Sequence, residues 1–310
     1  MKVFVAGATG ALGMPLVRGL VAAGHEVTGT SRTAARAASV DAAGGHGVVC
    51  DALDREAVFA AVSAAAPEVV VHQLTALPHN YVKLRKGNVL TERLRREGTR
   101  HLVDAATSAG ARRVIAESIA FLYAPVGPPV ATEESAVMTS VPGPAGGILD
   151  ATVELERTVL STSGIEGVVL RYGALYGPGT YYGPDGDITK RLRARRWPIV
   201  GDGGGLTSFL HVDDAAAATV CALSAGGSGI YNVVDDAPAA YREWQPELAT
   251  LLGAKPPRRV PRWLVRVAAG PAAVTALTEQ RGASNAKAKS ELGWTLRYPT
   301  WRDGFRAEFG

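Results

Sequence analysis

Cysteine is nearly absent from this chain. The two that occur, Cys50 and Cys221, stand in apolar surroundings with neither metal-site spacing nor a disulfide framework. A reducing, cytoplasmic setting is expected. No apolar run reaches the ~18 residues of a membrane span. The chain starts directly on a strand-like segment, so no leader is expected. A charge excess is also missing. Over 310 residues, 33 basic and 29 acidic side chains leave +4, too little and too evenly spread for nucleic acid. Only 7 of the basic residues are Lys, so cationic sites fall to Arg. Arg191, Arg193, Arg195 and Arg196 cluster, either toward an acidic substrate or as a solvated helix end. No repeat or low-complexity tail is found. Hydrophobic residues at 47% and charged ones at 20% fit an ordinary globular protein with a sizeable core.

What is present begins at residue 3. Val3-Phe4-Val5-Ala6 leads into Gly7-Ala8-Thr9-Gly10-Ala11-Leu12-Gly13, and an amphipathic stretch follows to Ala23. Strand, tight turn and helix start in this order hold a dinucleotide pyrophosphate. Gly7 permits the turn, Gly10 the close approach of phosphate, and Gly13 the packing of helix on sheet. The free N–H groups of the helix face the anion.

The second strand, Glu26 to Thr30, ends in Ser31-Arg32-Thr33, with Arg36 one turn on. An acidic residue here would bind the ribose 2′-hydroxyl of NAD. A guanidinium instead pairs with a 2′-phosphate, so NADP (NADPH) is expected over NAD. Arg32 also reads as a solvated helix-start residue. The third strand ends at Cys50-Asp51. Asp51 can accept from the adenine amino group or cap the helix beginning near Asp54.

Strand and helix patterns then alternate, as βαβ units require. Strands are expected at Glu68–His72, Arg113–Ala116 and Gly167–Arg171, and helices at Leu90–Ala109 and Gly147–Thr162. The fold class is α/β, a doubly wound parallel Rossmann sheet with a smaller C-terminal α+β substrate domain. After Arg171 the pattern breaks into Gly/Pro loops and short elements, including a helix near Ile188–Arg195, a strand near Phe209–Val212 and a last helix opened and capped by Ser284-Asn285-Ala286-Lys287. Residues 1–171 form the dinucleotide-binding domain, with 213–233 returning to it. Residues 172–212 and 234–310 form the substrate domain. Chemistry is sought at the carboxyl ends of the strands.

Several segments together resemble the extended short-chain dehydrogenases/reductases of the NAD-dependent epimerase/dehydratase type, over nearly the whole length. They are Gly7 to Gly13, Asp51-Ala52-Leu53-Asp54, Val69 to Gln73, Glu117-Ser118 leading to Tyr123, Leu170 to Gly179, Phe209 to Asp214, and Leu292-Gly293-Trp294. The resemblance implies cofactor contacts from the glycine turn with Thr9, Ala11 and Leu12, and from Asp51, Ala52, Gln73, Leu74, Thr75, Ser118, Tyr172 and Leu175. It also implies a homodimer through the helices after the fourth and fifth strands, with Leu94, Leu102, Val103, Leu149, Val153 and Leu160 as either its seam or the face packed on the sheet.

Active members carry a Tyr and a Lys four apart on the helix after strand five. Here Gly146 to Glu156 contains neither. Aligned on Glu156, Ile148 falls at the Tyr position and Thr152 at the Lys position; an alternative register gives Gly146 and Asp150. The family's catalytic Ser/Thr falls on Ile119, beside Ser118. The resemblance is therefore to an atypical branch. Replacement catalytic candidates are Ser118, Tyr123, Tyr182 and His211. Substrate candidates are His79, with Tyr81 beside it in the loop after strand four, Tyr123, Tyr176, Tyr181, Tyr182 and His211. No metal site is expected. The first expectation is an NADP(H)-dependent oxidoreductase acting on a carbonyl or hydroxyl of a small molecule. A redox-neutral epimerase, dehydratase, isomerase or cyclase is the second, and a non-catalytic NADP(H) sensor the third.

Overall fold

A computed structural model describes residues 1–84, 88–139 and 144–310. Its centre is a seven-stranded sheet of β1 (Lys2–Ala6), β2 (Glu26–Ser31), β3 (His46–Val49), β4 (Val69–His72), β5 (Arg113–Ile119), β6 (Glu166–Tyr172) and β7 (Gly229–Val233). The spatial order is β3-β2-β1-β4-β5-β6-β7, every neighbouring pair parallel. The order reverses between β1 and β4, which opens a crevice at their carboxyl ends. The sheet is covered on both faces, so the central strands read as unbroken apolar runs such as Val69-Val70-Val71.

One face packs Leu16, Val17 and Leu20 of the Gly13–Ala22 helix with Ala215, Ala216 and Ala218 of the Val212–Cys221 helix. The other packs Val58 and Val62 with Leu102, Val103, Leu155 and Val159. Arg113 on β5 ties the layers by donating to the carbonyls of Ala222, Ala225 and Gly226 while pairing with Glu166. A third apolar cluster, including Tyr182, Ile188, Phe209, Trp244, Trp301 and Phe305, is built from residues 174–209 and 239–305.

Three expectations need correction. The Leu90–Ala109 helix is continuous but not uniform: a π-turn at Leu94–Gly98 joins Val89–Arg93 to Thr99–Ser108. The last helix is not the one opened by Ser284 but Trp301–Phe309. Thr300 and Asp303 cap it reciprocally, and its apolar face buries Trp301 and Phe305. The proposed dimer seam also changes. Leu94, Leu102 and Val103 are buried within this chain and Leu149 lines the central cavity. That leaves Val153 and Leu160 for any such pairing.

Candidate active site

A single cavity of about 2400 Å³ runs along the carboxyl ends of the strands. That exceeds the ~300–1,000 Å³ of a single drug-sized site, so a dinucleotide and a second molecule can share it. All the residues expected to touch cofactor line it: Gly7, Thr9 to Gly13, Ser31, Arg32, Arg36, Asp51, Ala52, Gln73 to Thr75, Ser118, Tyr172 and Leu175.

The three glycines of the first turn have different causes. Gly7 sits at φ +87°, and a Cβ there would stand 2.6 Å from the Gln73 carbonyl oxygen. A Cβ on Gly13 would stand 2.3 Å from the Gly7 carbonyl oxygen. Both are demanded by the protein itself. A Cβ on Gly10 would meet nothing nearer than 3.5 Å. Nothing in the chain needs glycine there, but a phosphate approaching the backbone does. The Gly13–Ala22 helix has no side-chain cap and no acidic residue in its first turn, so its leading N–H groups remain available to an anion. This cradle fits a dinucleotide.

Beyond it, β2 ends at Ser31, which accepts a hydrogen bond from Thr9 at 3.3 Å. Arg36 donates to the Thr9 carbonyl at 2.7 Å, tying its helix to the glycine turn. Thr33 starts the Ala34–Ala42 helix without capping it, and that first turn carries no acid. Arg32 is exposed and lines the cavity beside them. Asp51 Oδ1 accepts from the Leu53 N–H at 3.0 Å, while the helix cap is Asp54. Asp51 is therefore a turn residue at the cavity edge and not the cap.

At the other end, the catalytic positions implied by the resemblance are apolar or spent. Ile119 and Ile148 line the cavity, and Thr152 lies fully buried one turn below Ile148. The Pro144–Ser161 helix carries neither Tyr nor Lys. Ser118 donates to Glu156 at 2.6 Å; Glu156 forms a two-pronged pair with Arg171; Arg171 donates to the Tyr123 hydroxyl, which donates to Asn232 at 2.6 Å. Ser118 and Tyr123 border the cavity, but their hydroxyls belong to this buried chain. Burial raises the Tyr123 hydroxyl further from neutrality. As proton donors to a bound substrate, both candidates are corrected. Tyr172 is spent likewise. Thr219 donates to Ala215, so Tyr172 must donate to Thr219 while accepting from Gln73.

A family model for the NAD dependent epimerase/dehydratase family matches residues 3–233. The chain belongs to that family. It is 50% identical over 309 residues to a Streptomyces protein named 3-diazoavenalumate denitrifying reductase, covering 99% of this chain and all of the other. A Stigmatella aurantiaca ketoreductase of a farnesylated dihydroquinoline oxide is 27% identical, covering 82% and 74%. Among solved structures, UDP-glucose 4-epimerase of Thermotoga maritima superposes with TM-score 0.79 at 20% identity, over 100% and 97% of the two chains. A human epimerase family protein with NADPH superposes at 0.76 and 21% identity, over 99% of each. The family is enzymatic and its fold is the one observed here.

Within this epimerase/dehydratase frame, two further candidates leave the site. His211 caps the Val212–Cys221 helix by accepting from the Asp213 N–H, and its other ring nitrogen meets Glu308 at 3.1 Å. Tyr176 is fully buried, packed edge-on to Phe209 and Phe305. Neither lines the cavity, because the strand end turns both toward the Trp301–Phe309 helix. His79, Tyr181 and Tyr182 do line it. Tyr181 donates to the Pro78 carbonyl, and burial pushes its hydroxyl up to about 12. Tyr182 stands edge-on to Trp244, its hydroxyl raised well above the usual value by burial. A general acid works best near the operating pH, and burial moves both away from it.

Tyr81 lines the cavity as expected, and three cavity residues, Trp197, Arg95 and Glu117, were missed in the sequence. Tyr81 stacks edge-to-face with both Tyr181 and Trp197 in one aromatic wall, at centroid distances of 5.1 and 5.3 Å. Their spacing along the chain gives no signal of this. Arg95 and Glu117 form a buried ion pair at 3.0 Å in the cavity floor. Arg95 sits in Leu94-Arg95-Arg96-Glu97, which reads as a solvated helix face; the π-turn carries it inward. Behind the pair, His72 is held neutral, lowered to about 4 by burial and by the Arg95 charge. Its Nδ1 accepts from the Leu74 N–H. Its Nε2–H donates to Thr99, whose own proton goes to the Arg95 carbonyl.

Proposed function

We propose that this chain is an NADPH-dependent reductase that replaces a diazo group on an aromatic carbon by hydrogen. The carrying observation is the cavity, where Ile119 and Ile148 stand at positions that the resemblance aligns with acid–base residues, Thr152 is buried behind them, and the neighbouring hydroxyls are spent. Carbonyl reduction leaves charge on an oxygen and calls for a positioned proton donor. A diazonium carbon sheds its charge as neutral dinitrogen and needs none at that atom. When bound, the nicotinamide supplies a hydride, so that a C–H bond forms as the C–N bond breaks and dinitrogen leaves with that bond's electron pair. The chain's own part is positioning. Tyr81, Tyr181 and Trp197 offer faces and edges to a flat ring, and Ile119 and Ile148 add apolar surface to the same cavity. The half-identical relative named for denitrifying reduction of a diazo compound supports the same reading.

The test uses an aryl diazonium compound labelled with ¹⁵N, and NADPH deuterated at the transferring position. One labelled dinitrogen per NADPH consumed is expected, with deuterium on the carbon that lost nitrogen. NADPH oxidation that releases no dinitrogen, or product formed with no net oxidation, overturns the reading in favour of carbonyl reduction or redox-neutral chemistry.

The NADPH preference rests on Ser31, Arg32 and Arg36 at a β2 end free of acid. Losing one charge-assisted phosphate contact costs about 1.5–3 kcal/mol. Arg32→Ala is therefore expected to weaken NADPH binding by that amount and leave NADH binding unchanged in calorimetric titration. Retained NADPH preference in the variant, or tighter NADH binding by the wild type, would refute it.

A further inference from the structure

Arg95 and Glu117 are the charged residues that are both buried and cavity-lining among the described residues. We propose that this pair binds the two hydroxyls of the nicotinamide-side ribose, an inference that rests on the cofactor reading above. Glu117 lies at the carboxyl end of β5, and Arg95 is carried over β4 and β5 by the π-turn. In a doubly wound sheet the second mononucleotide half lies on this side of the switch between β1 and β4.

The hydrogen-bond inventory fits a diol. Arg95 Nε and Nη2 both donate to Glu117 Oε1, at 3.3 and 3.0 Å, and Nη1 donates to Thr152 Oγ1 at 2.6 Å. A guanidinium has five N–H groups, so two remain without a partner among the described residues. Glu117 Oε2 also has none. The pair thus offers free donors beside a free acceptor. Each ribose hydroxyl can accept from one and donate to the other. The neighbouring polar groups are already satisfied: Ser118 by Glu156, Tyr172 by Thr219 and Gln73, His72 by Leu74 and Thr99. Stability does not account for the pair, since burying two charges costs about as much as their attraction returns. Thr152 positions the guanidinium: its hydroxyl donates to the Ile148 carbonyl and presents its lone pair to Nη1.

Calorimetric titration with two ligands tests this. NADPH contains the nicotinamide ribose; adenosine 2′,5′-bisphosphate lacks it. Arg95→Met and Glu117→Gln are expected to weaken NADPH binding by about 10-fold or more, the worth of a charged hydrogen bond. Binding of the bisphosphate should stay at the wild-type value. Arg95→Ala combined with Thr152→Lys returns a cation to the vacated volume and should recover part of the loss. Unchanged NADPH affinity in both single variants overturns the ribose assignment alone. Parallel loss of both ligands also overturns it, in favour of a structural role. A wild type that binds neither ligand brings down the cofactor reading, and this inference with it.

Discussion

Glu156→Ala is expected to destabilise the fold by about 3–5 kcal/mol, because it strands a buried guanidinium. Arg171 is 3% exposed, and both Glu156 oxygens hold it, at 2.8 and 2.6 Å. Burial alone would lower the Arg171 pKa; the bonds to Glu156 and its charge outweigh that and keep it raised. Ser118→Ala removes only one donor to the same carboxylate and should cost about 1 kcal/mol. Since its hydroxyl faces Glu156, that variant should keep turnover close to the wild type. Urea midpoints and steady-state rates measured side by side decide the point. A Ser118→Ala variant that stays folded yet loses a hundredfold in turnover would restore Ser118 as an acid–base group. A Glu156→Ala variant of wild-type stability would remove the network's structural role.

Raising the pH from 6.5 to 8 is expected to destabilise the protein through one side chain, Asp235, just past β7; below 6.5 the buried, neutral His72 opposes the trend. Burial pushes its carboxyl up to about 8, against the bonds it accepts from the Ala237 and Trp301 backbones. The charges of Asp236 and Asp214 push it further in the same direction. Oδ2 is buried and has no hydrogen-bond partner among the described residues. With a folded value above the unfolded one of 3.8, the native state holds the extra proton between these limits. This contribution is full below about pH 4 and is lost as the pH climbs through 8. The slope approaches about 1.4 kcal/mol per pH unit from this group. Asp235→Asn should flatten that slope and raise stability at pH 8. Equal slopes for variant and wild type, from urea unfolding at four pH values, would show that Asp235 is ionised in the fold.

The legible parts of this protein were those written in local chemistry. Gly7, Gly10 and Gly13 between an apolar strand and a helix reveal a dinucleotide cradle because each glycine answers a short-range constraint. The alternation of strand and helix gave the parallel sheet, since buried strands must be apolar throughout. The strand ends at Ser31, Asp51, Gln73 and Ser118 were found together in one cavity because topology places all parallel strand ends on one edge. The family resemblance rested on these same segments.

Which polar groups face the cavity was a different matter. Ser118, Tyr123, Tyr172, Tyr176 and His211 carry the right chemistry at the right strand ends, yet hydrogen bonds to Glu156, Asn232, Thr219, Asp213 and Glu308, or plain burial for Tyr176, remove them. Apart from Asp213, those partners lie far away in sequence, and no local pattern announces them. Arg95 was hidden for a related reason: its neighbours Arg96 and Glu97 read as solvent-facing, and only a π-turn brings it onto Glu117. The sequence by itself determined the sheet, the glycine cradle and the missing Tyr and Lys, because backbone constraints and residue identity are local. The tertiary structure decided which side chains remain free to touch a ligand, because satisfying buried polar groups depends on the packing of the whole chain.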